Sequence, residues 1–224
     1  MLALRHLSIV MRIKISAAAL FLMALLISGC SPKSPWKAEE LALIRDSSTI
    51  MRVLSVDKLQ DSLFLRLNAD TLRAEMLLSE EYARLASKMV ATVTSPEQDG
   101  VGLAAPQVGI SRRMVAVQRF DKSSEPFEVY PNIRITDMRG EKQCGPEGCL
   151  SIPGRRGEVL RFREIDIRYS IVDPKTGVRD TCETVRGFTA VIFQHECDHL
   201  DGILYTDRLA SEPEMASCLR TNTG

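Results

Sequence analysis

The chain has 224 residues, enough for one well-buried domain and short for two. With 45% apolar and 26% charged residues its composition is globular, which excludes a disordered or collagen-like chain. Basic and acidic residues balance at 29 each, so no global positive field draws nucleic acid and no nucleic-acid partner is expected.

Arg5, Arg12 and Lys14 precede a run from Ile15 to Ile27 that is apolar except for Ser16, and no acid occurs before Glu39. A positive segment followed by a short apolar one predicts an export signal over residues 1–29. It closes on Ile27-Ser28-Gly29-Cys30, which resembles the lipobox of bacterial lipoproteins, where the cysteine is acylated and becomes the mature N-terminus. Cys30 would then tie the protein to a membrane of the bacterial cell envelope, a cytoplasmic location being the alternative. A simple membrane anchor is the alternative, because the uncharged stretch from Ile15 to Pro32 just reaches the roughly 18 residues that span a bilayer. A start at Met11 would leave a more compact signal of the same kind. Removal of residues 1–29 leaves 26 basic against 29 acidic residues, and His195 and His199 as the only histidines.

Residues 30–47 read as a tether with some helical propensity, and 48–66 contain apolar runs without a clear period. From about Asp70 to Val93, Leu72, Met76, Leu77, Tyr82, Leu85, Met89 and Val90 recur at helical spacings, which predicts one amphipathic helix ended by Ser95-Pro96. Strand-like runs follow at 114–118, 127–136 and 164–172, each bounded by turn residues. After Gly187, Phe188, Val191, Ile192, His195 and His199 share the apolar, inward face of a helix that Gly202 stops. The expected fold class is α+β, antiparallel sheets around this central helix, with a domain over 48–210, a tail over 211–224, and a monomeric chain.

His195-Glu196-Cys197-Asp198-His199 is an H-E-x-x-H: two imidazoles one helical turn apart can grip one metal ion while the Glu stands beside them as a base. Asp198 is a natural acceptor for the second ring N–H of a ligating histidine, an exposed carboxylate being the plainer alternative. Two histidines leave a catalytic metal short of a protein ligand, and no third histidine exists in the mature chain, so a Glu, an Asp or a Cys must serve. Spacing alone does not place Cys149 above Cys144 or Cys182.

Three segments taken together, Gly100-Val101-Gly102-Leu103-Ala104-Ala105-Pro106-Gln107, Glu147-Gly148-Cys149-Leu150-Ser151 and His195–His199, resemble the signature segments of the peptide deformylases, in that family's order and with similar separations. The resemblance runs from about Met51 to Leu209. One departure stands near the middle, where Tyr130-Pro131-Asn132 replaces the family's usual Asn-Pro. It implies that Cys149, His195 and His199 bind one divalent metal ion, in that family typically ferrous iron, with zinc or nickel able to take its place. Glu196 would take a proton from the attacking water and pass it to the leaving amine. The Gln107 side-chain amide and the Leu150 backbone N–H would meet the oxyanion that forms on the formyl group of an N-formylmethionyl peptide. Gly102 would let the substrate backbone come close, Arg156 would steer the peptide, and Val101, Phe188, Val191 and Ile192 are candidates for the methionine pocket, although the core role is the better single reading of each.

A thiolate ligand makes a weaker Lewis acid than three imidazoles would, which suits a formyl group better than a hindered internal peptide bond. The competing readings are an H-E-x-x-H peptidase and a drifted, lipid-anchored homologue acting on other N-acyl peptides. Export would also place Cys149 beside Cys144, Cys182, Cys197 and Cys218 in an oxidising compartment, where disulfides compete with metal.

Overall fold

Four helices precede the first strand: α1 (Ala38–Arg45), α2 (Leu59–Leu65), the single turn α3 (Ala74–Leu77) and α4 (Glu80–Val93). The computed structural model describes residues 34–173 and 175–214, and Pro35 onward forms one compact unit. The signal segment, Cys30 and Cys218 lie outside the described residues.

Within the stretch read as a tether, residues 36–45 are packed against the domain. Trp36 is 4% exposed and Ile44 fully buried, and Glu40 takes a two-bond ion pair from Arg112 at 2.8 and 2.9 Å. Glu40 also accepts from the Lys37 backbone N–H at 2.9 Å, so one carboxylate both starts α1 and docks it.

The single helix expected over 70–93 is in fact two. Residues before Ala74 are held extended, Leu72 N–H donating to Asn132 Oδ1 at 2.7 Å. Ser79 then breaks the helical period: its hydroxyl donates to Met76 O at 2.6 Å and accepts the Tyr82 N–H at 3.3 Å, closing α3 and capping α4. The apolar stripe of α4, Leu85, Met89 and Val93, is fully buried.

Strands β1 (Gly102–Ala104), β2 (Met114–Gln118) and β3 (Phe127–Pro131) form one antiparallel sheet in that order. Met114 and Ala116 face the core over α4, while Val115 and Val117 face a second core on the other side, so β2 is buried on both faces. That explains an apolar run without alternation. The run expected as one strand over 127–136 divides at Asn132, whose φ is +56°. Its side chain holds this turn by bonding both Leu72 N–H and Leu72 O, the latter at 2.9 Å, so the departure from the family's Asn-Pro keeps a local tie of its own.

Strands β4 (Arg134–Cys149), β5 (Ile152–Asp173) and β6 (Gly177–Arg186) make a second antiparallel sheet. Only its middle was visible in the sequence, because three register irregularities in the β4–β5 pairing interrupt the period of two. Helix α5 (Gly187–Leu200) packs across both sheets, burying Ala190, Phe193, Cys197 and Leu200 with Tyr130, Ile165, Ile167 and Val185. It ends as expected before Gly202, whose φ is +68° and whose Cα sits against the Arg66 carbonyl, where a Cβ would collide.

Candidate active site

Helix α5 puts His195 and His199 on one face, and the tight turn joining β4 to β5 brings Cys149 opposite them. One ligand atom from each of Cys149, His195 and His199 lies within 4.8 Å of the other two. Cys149 Sγ is 3.2 Å from His199 Nε2. A thiol and two imidazoles at this spacing are a borderline-soft donor set that fits a first-row divalent ion. Burial holds His199 well below the usual histidine range, with His195 adding to the shift, so it stands neutral and able to ligate.

Asp198, expected as a histidine's partner, is not one. Glu147 takes that part: its Oε2 is 2.8 Å from His195 Nδ1, which leaves Nε2 to face the cluster. Arg161 donates to both Glu147 oxygens, at 2.7 and 3.0 Å, and to Asp198 at 2.6 Å. Arg208 closes the row with two bonds to Asp198, at 2.6 and 2.7 Å. Asp198 is drawn away because two guanidiniums on neighbouring elements outbid one neutral imidazole. Burial alone would raise Glu147, but His195 and Arg161 override it and hold the carboxylate down to about 2. Glu147 could have been suspected from its place in the Glu-Gly-Cys segment; Arg161, inside a long strand, carried no local signal.

Glu196 is 4% exposed, and burial pushes it up to about 7. Its Oε2 has no hydrogen-bond partner among the described residues. A Cβ on Gly102 would lie 2.5 Å from Glu196 Oε1 and 2.8 Å from Ile192 Cγ2. The missing side chain at 102 therefore makes room first for the carboxylate, where the sequence suggested room for substrate. Gln107 sits on a 3₁₀ turn (Ala105–Val108), and its side-chain oxygen accepts the Ala104 N–H at 2.8 Å. That fixes the amide's orientation, so its NH₂ points at Cys149 Sγ (3.5 Å) and Ser151 Oγ (3.3 Å). Ser151 is fully buried and was not singled out in the sequence.

The cluster opens into a cleft of about 920 Å³. Val101, Phe188, Val191 and Ile192 all line it, as do Leu150 and Arg156. The core reading fails for Phe188, which is 49% exposed at the rim, while Ile192, 4% exposed, serves the core and the cleft wall together. Arg155, beside Arg156, also lines the cleft and was not anticipated. Cys197, by contrast, is buried and its thiol pushed up by burial, so it takes no part in the cluster.

An antiparallel α+β fold that carries a buried carboxyl, a fixed amide and a thiol–imidazole cluster at one end of a cleft defines a metal-dependent hydrolase. The family model for polypeptide deformylase matches residues 53–214. A peptide deformylase of Desulforudis audaxviator is 40% identical over 131 residues, 58% of this chain and 79% of the relative. The crystal structure of the actinonin-bound class I type b peptide deformylase of Acinetobacter baumannii superimposes with a TM-score of 0.62 at 36% identity, covering 73% of this chain and all of that one. The same enzyme bound to Met-Ala-Ser matches with a TM-score of 0.62 at 34% identity, over 71% of this chain and 98% of that one. The chain belongs to the polypeptide deformylase family: it is a metal-dependent hydrolase that removes the formyl group from N-formylmethionyl peptides.

Proposed function

We propose that Cys149, His195 and His199 hold the metal, ferrous iron by preference with zinc or nickel as alternatives, and that Glu196 and Gln107 carry out the proton and charge work of deformylation. The observation that carries this reading is their convergence: the three donor atoms lie within 4.8 Å of one another, and Cys149, His195, Glu196 and Gln107 all border one cleft. When bound, the ion polarises the carbonyl and brings the pKa of water toward neutrality. Glu196 accepts a proton from the attacking water and delivers it to the amine nitrogen as the C–N bond breaks, releasing formate and a free N-terminal methionine. Gln107 Nε2 and the Leu150 backbone N–H donate to the oxygen that gains charge. Glu147 keeps His195 in one tautomer and orientation. Val101, Phe188, Val191 and Ile192 receive the methionine side chain, and Arg156 meets the peptide beyond it. The Met-Ala-Ser found in the Acinetobacter baumannii relative supports a peptide with methionine first in this cleft.

Formyl-Met-peptide should release formate, while the acetylated analogue reacts far more slowly, because the added methyl lowers carbonyl electrophilicity and crowds the acyl site. Comparable rates on the two, or cutting of an internal peptide bond, would overturn the reading.

The mature protein on this reading starts at an acylated Cys30 and is held on the membrane of a bacterial envelope, its catalytic domain spanning 48–210. The positive segment and the apolar run that closes on Ile27-Ser28-Gly29-Cys30 support export. Labelled fatty acid should enter the wild-type chain and not Cys30→Ala; equal labelling would remove Cys30 as the anchor.

A further inference from the structure

Half of the large apolar side chains exposed on the described chain fall in one short stretch. Leu43, Ile50, Leu59, Leu63 and Leu67 are 41, 41, 72, 57 and 51% exposed. They lie on α1, on α2 and in the loops beside them, all but Leu59, Leu63 and Leu67 upstream of the family match at residue 53. On α2, Asp61 and Leu65 face inward and are buried, so Leu59 and Leu63, one turn apart, stand on the outward side. Between α1 and α2 lies a groove of about 590 Å³, bordered by Leu43, Ile50 and Phe64.

The charges around this groove are used internally. Arg52 gives both its terminal nitrogens to Asp61, at 2.6 and 3.0 Å. Lys88 spends its ammonium on the carbonyls of Leu43 and Asp46, at 3.0 and 3.2 Å. Leu43, Ile50, Leu59 and Leu63 thus stand exposed beside Arg52, whose side chain is 60% exposed, and Gln60, and exposed apolar groups gathered in so short a stretch mark a contact surface.

The length of chain upstream says which surface meets it. Trp36, Glu40 and Ile44 are fixed to the domain, and Cys30 is six residues before Trp36. Six extended residues reach about 20 Å at most. An acyl group on Cys30 therefore keeps the bilayer within that distance of Trp36, and α1 carries Leu43 seven residues further on.

We propose that the face formed by Leu43, Ile50, Leu59 and Leu63 rests on the lipid surface, so that the catalytic domain is seated on the membrane in one orientation rather than swinging on a loose leash. The inference rests on the lipid-anchor reading of Cys30. The α1 strap makes the seating: its buried Trp36, whose indole N–H donates to Ser79 Oγ at 3.2 Å, and its buried Glu40–Arg112 pair remove the slack a free linker would have. Contact through apolar groups alone is weak, and it adds to the anchor because the lipid chain has already brought the two surfaces together.

The test uses the full-length acylated chain in vesicles of phosphatidylethanolamine and phosphatidylglycerol, with and without bromine on the lipid acyl chains. Trp36 is the only native tryptophan, so one added indole can be read against a constant background. Leu59→Trp and Leu63→Trp should lose most of their added emission in brominated vesicles and shift to the blue. Met138→Trp, at a site 44% exposed on β4, should lose none, which controls for any tendency of a new indole to seek lipid. Equal quenching at all three sites, or none at Leu59 and Leu63, would overturn the seating and leave the anchor standing. An unmodified Cys30 by mass, in a chain that does not float with the vesicles, would overturn the anchor and the seating with it.

Discussion

Two buried arginines in this protein are built alike and do different things. Arg161 is tied to Glu147 and Asp198, Arg119 to Asp121, Glu128 and Glu183, and each joins a strand to another element. Arg119 lies 5.8 Å from the ring centres of both Tyr130 and Phe193. Its side chain is 2% exposed, while its three acids are 23, 34 and 26% exposed and so remain partly wet. The acids of Arg161 are 7 and 11% exposed, and one of them has a lone pair left for His195. A buried ionic cluster is thus no sign of a site in itself. What separates the two is whether the cluster passes its order on to groups with unspent bonding capacity, here the Cys149, His195 and His199 donors and Glu196.

Glu196→Gln keeps shape and removes the base, so kcat should fall by about 10²–10⁴ while metal analysis finds the ion still bound. A variant that remained active would move the base elsewhere. Glu147→Gln should weaken metal retention by about 10–100-fold in competition with a chelator, because His195 loses the carboxylate that orients it and Arg161 loses a partner. Unchanged retention would reduce Glu147 to packing. Arg119→Met should leave metal content and kcat at the wild-type level and lower unfolding stability in urea by about 3 kcal/mol or less, since its acids can turn toward water. Loss of metal in that variant would erase the distinction between the two arginines.

Much of the site was legible beforehand because its chemistry is local in the chain. His195 and His199 are one helical turn apart, and an apolar stripe on the same helix says that both point inward. The Gly-rich run at 100–107 and the Glu-Gly-Cys turn each specify backbone shape within a few residues. The spacing over 70–93 reads as one helix because Ser79 interrupts the hydrogen bonding without interrupting the apolar period. The second sheet was half missed because its long strands are irregularly paired and only partly buried.

Residue identity and local spacing name the groups that can do the chemistry: the two histidines, the glutamate between them, the candidate thiols and the turn glycines, all read at separations of a few residues. Their partners are set by packing between distant elements. It gave His195 to Glu147 instead of Asp198, placed Glu196 against the bare Cα of Gly102, turned Phe188 outward to the cleft, and clamped residues 36–45 to the domain. Each of these choices is made between elements far apart in the chain, where packing and the competition of buried charges for one another outweigh any local preference.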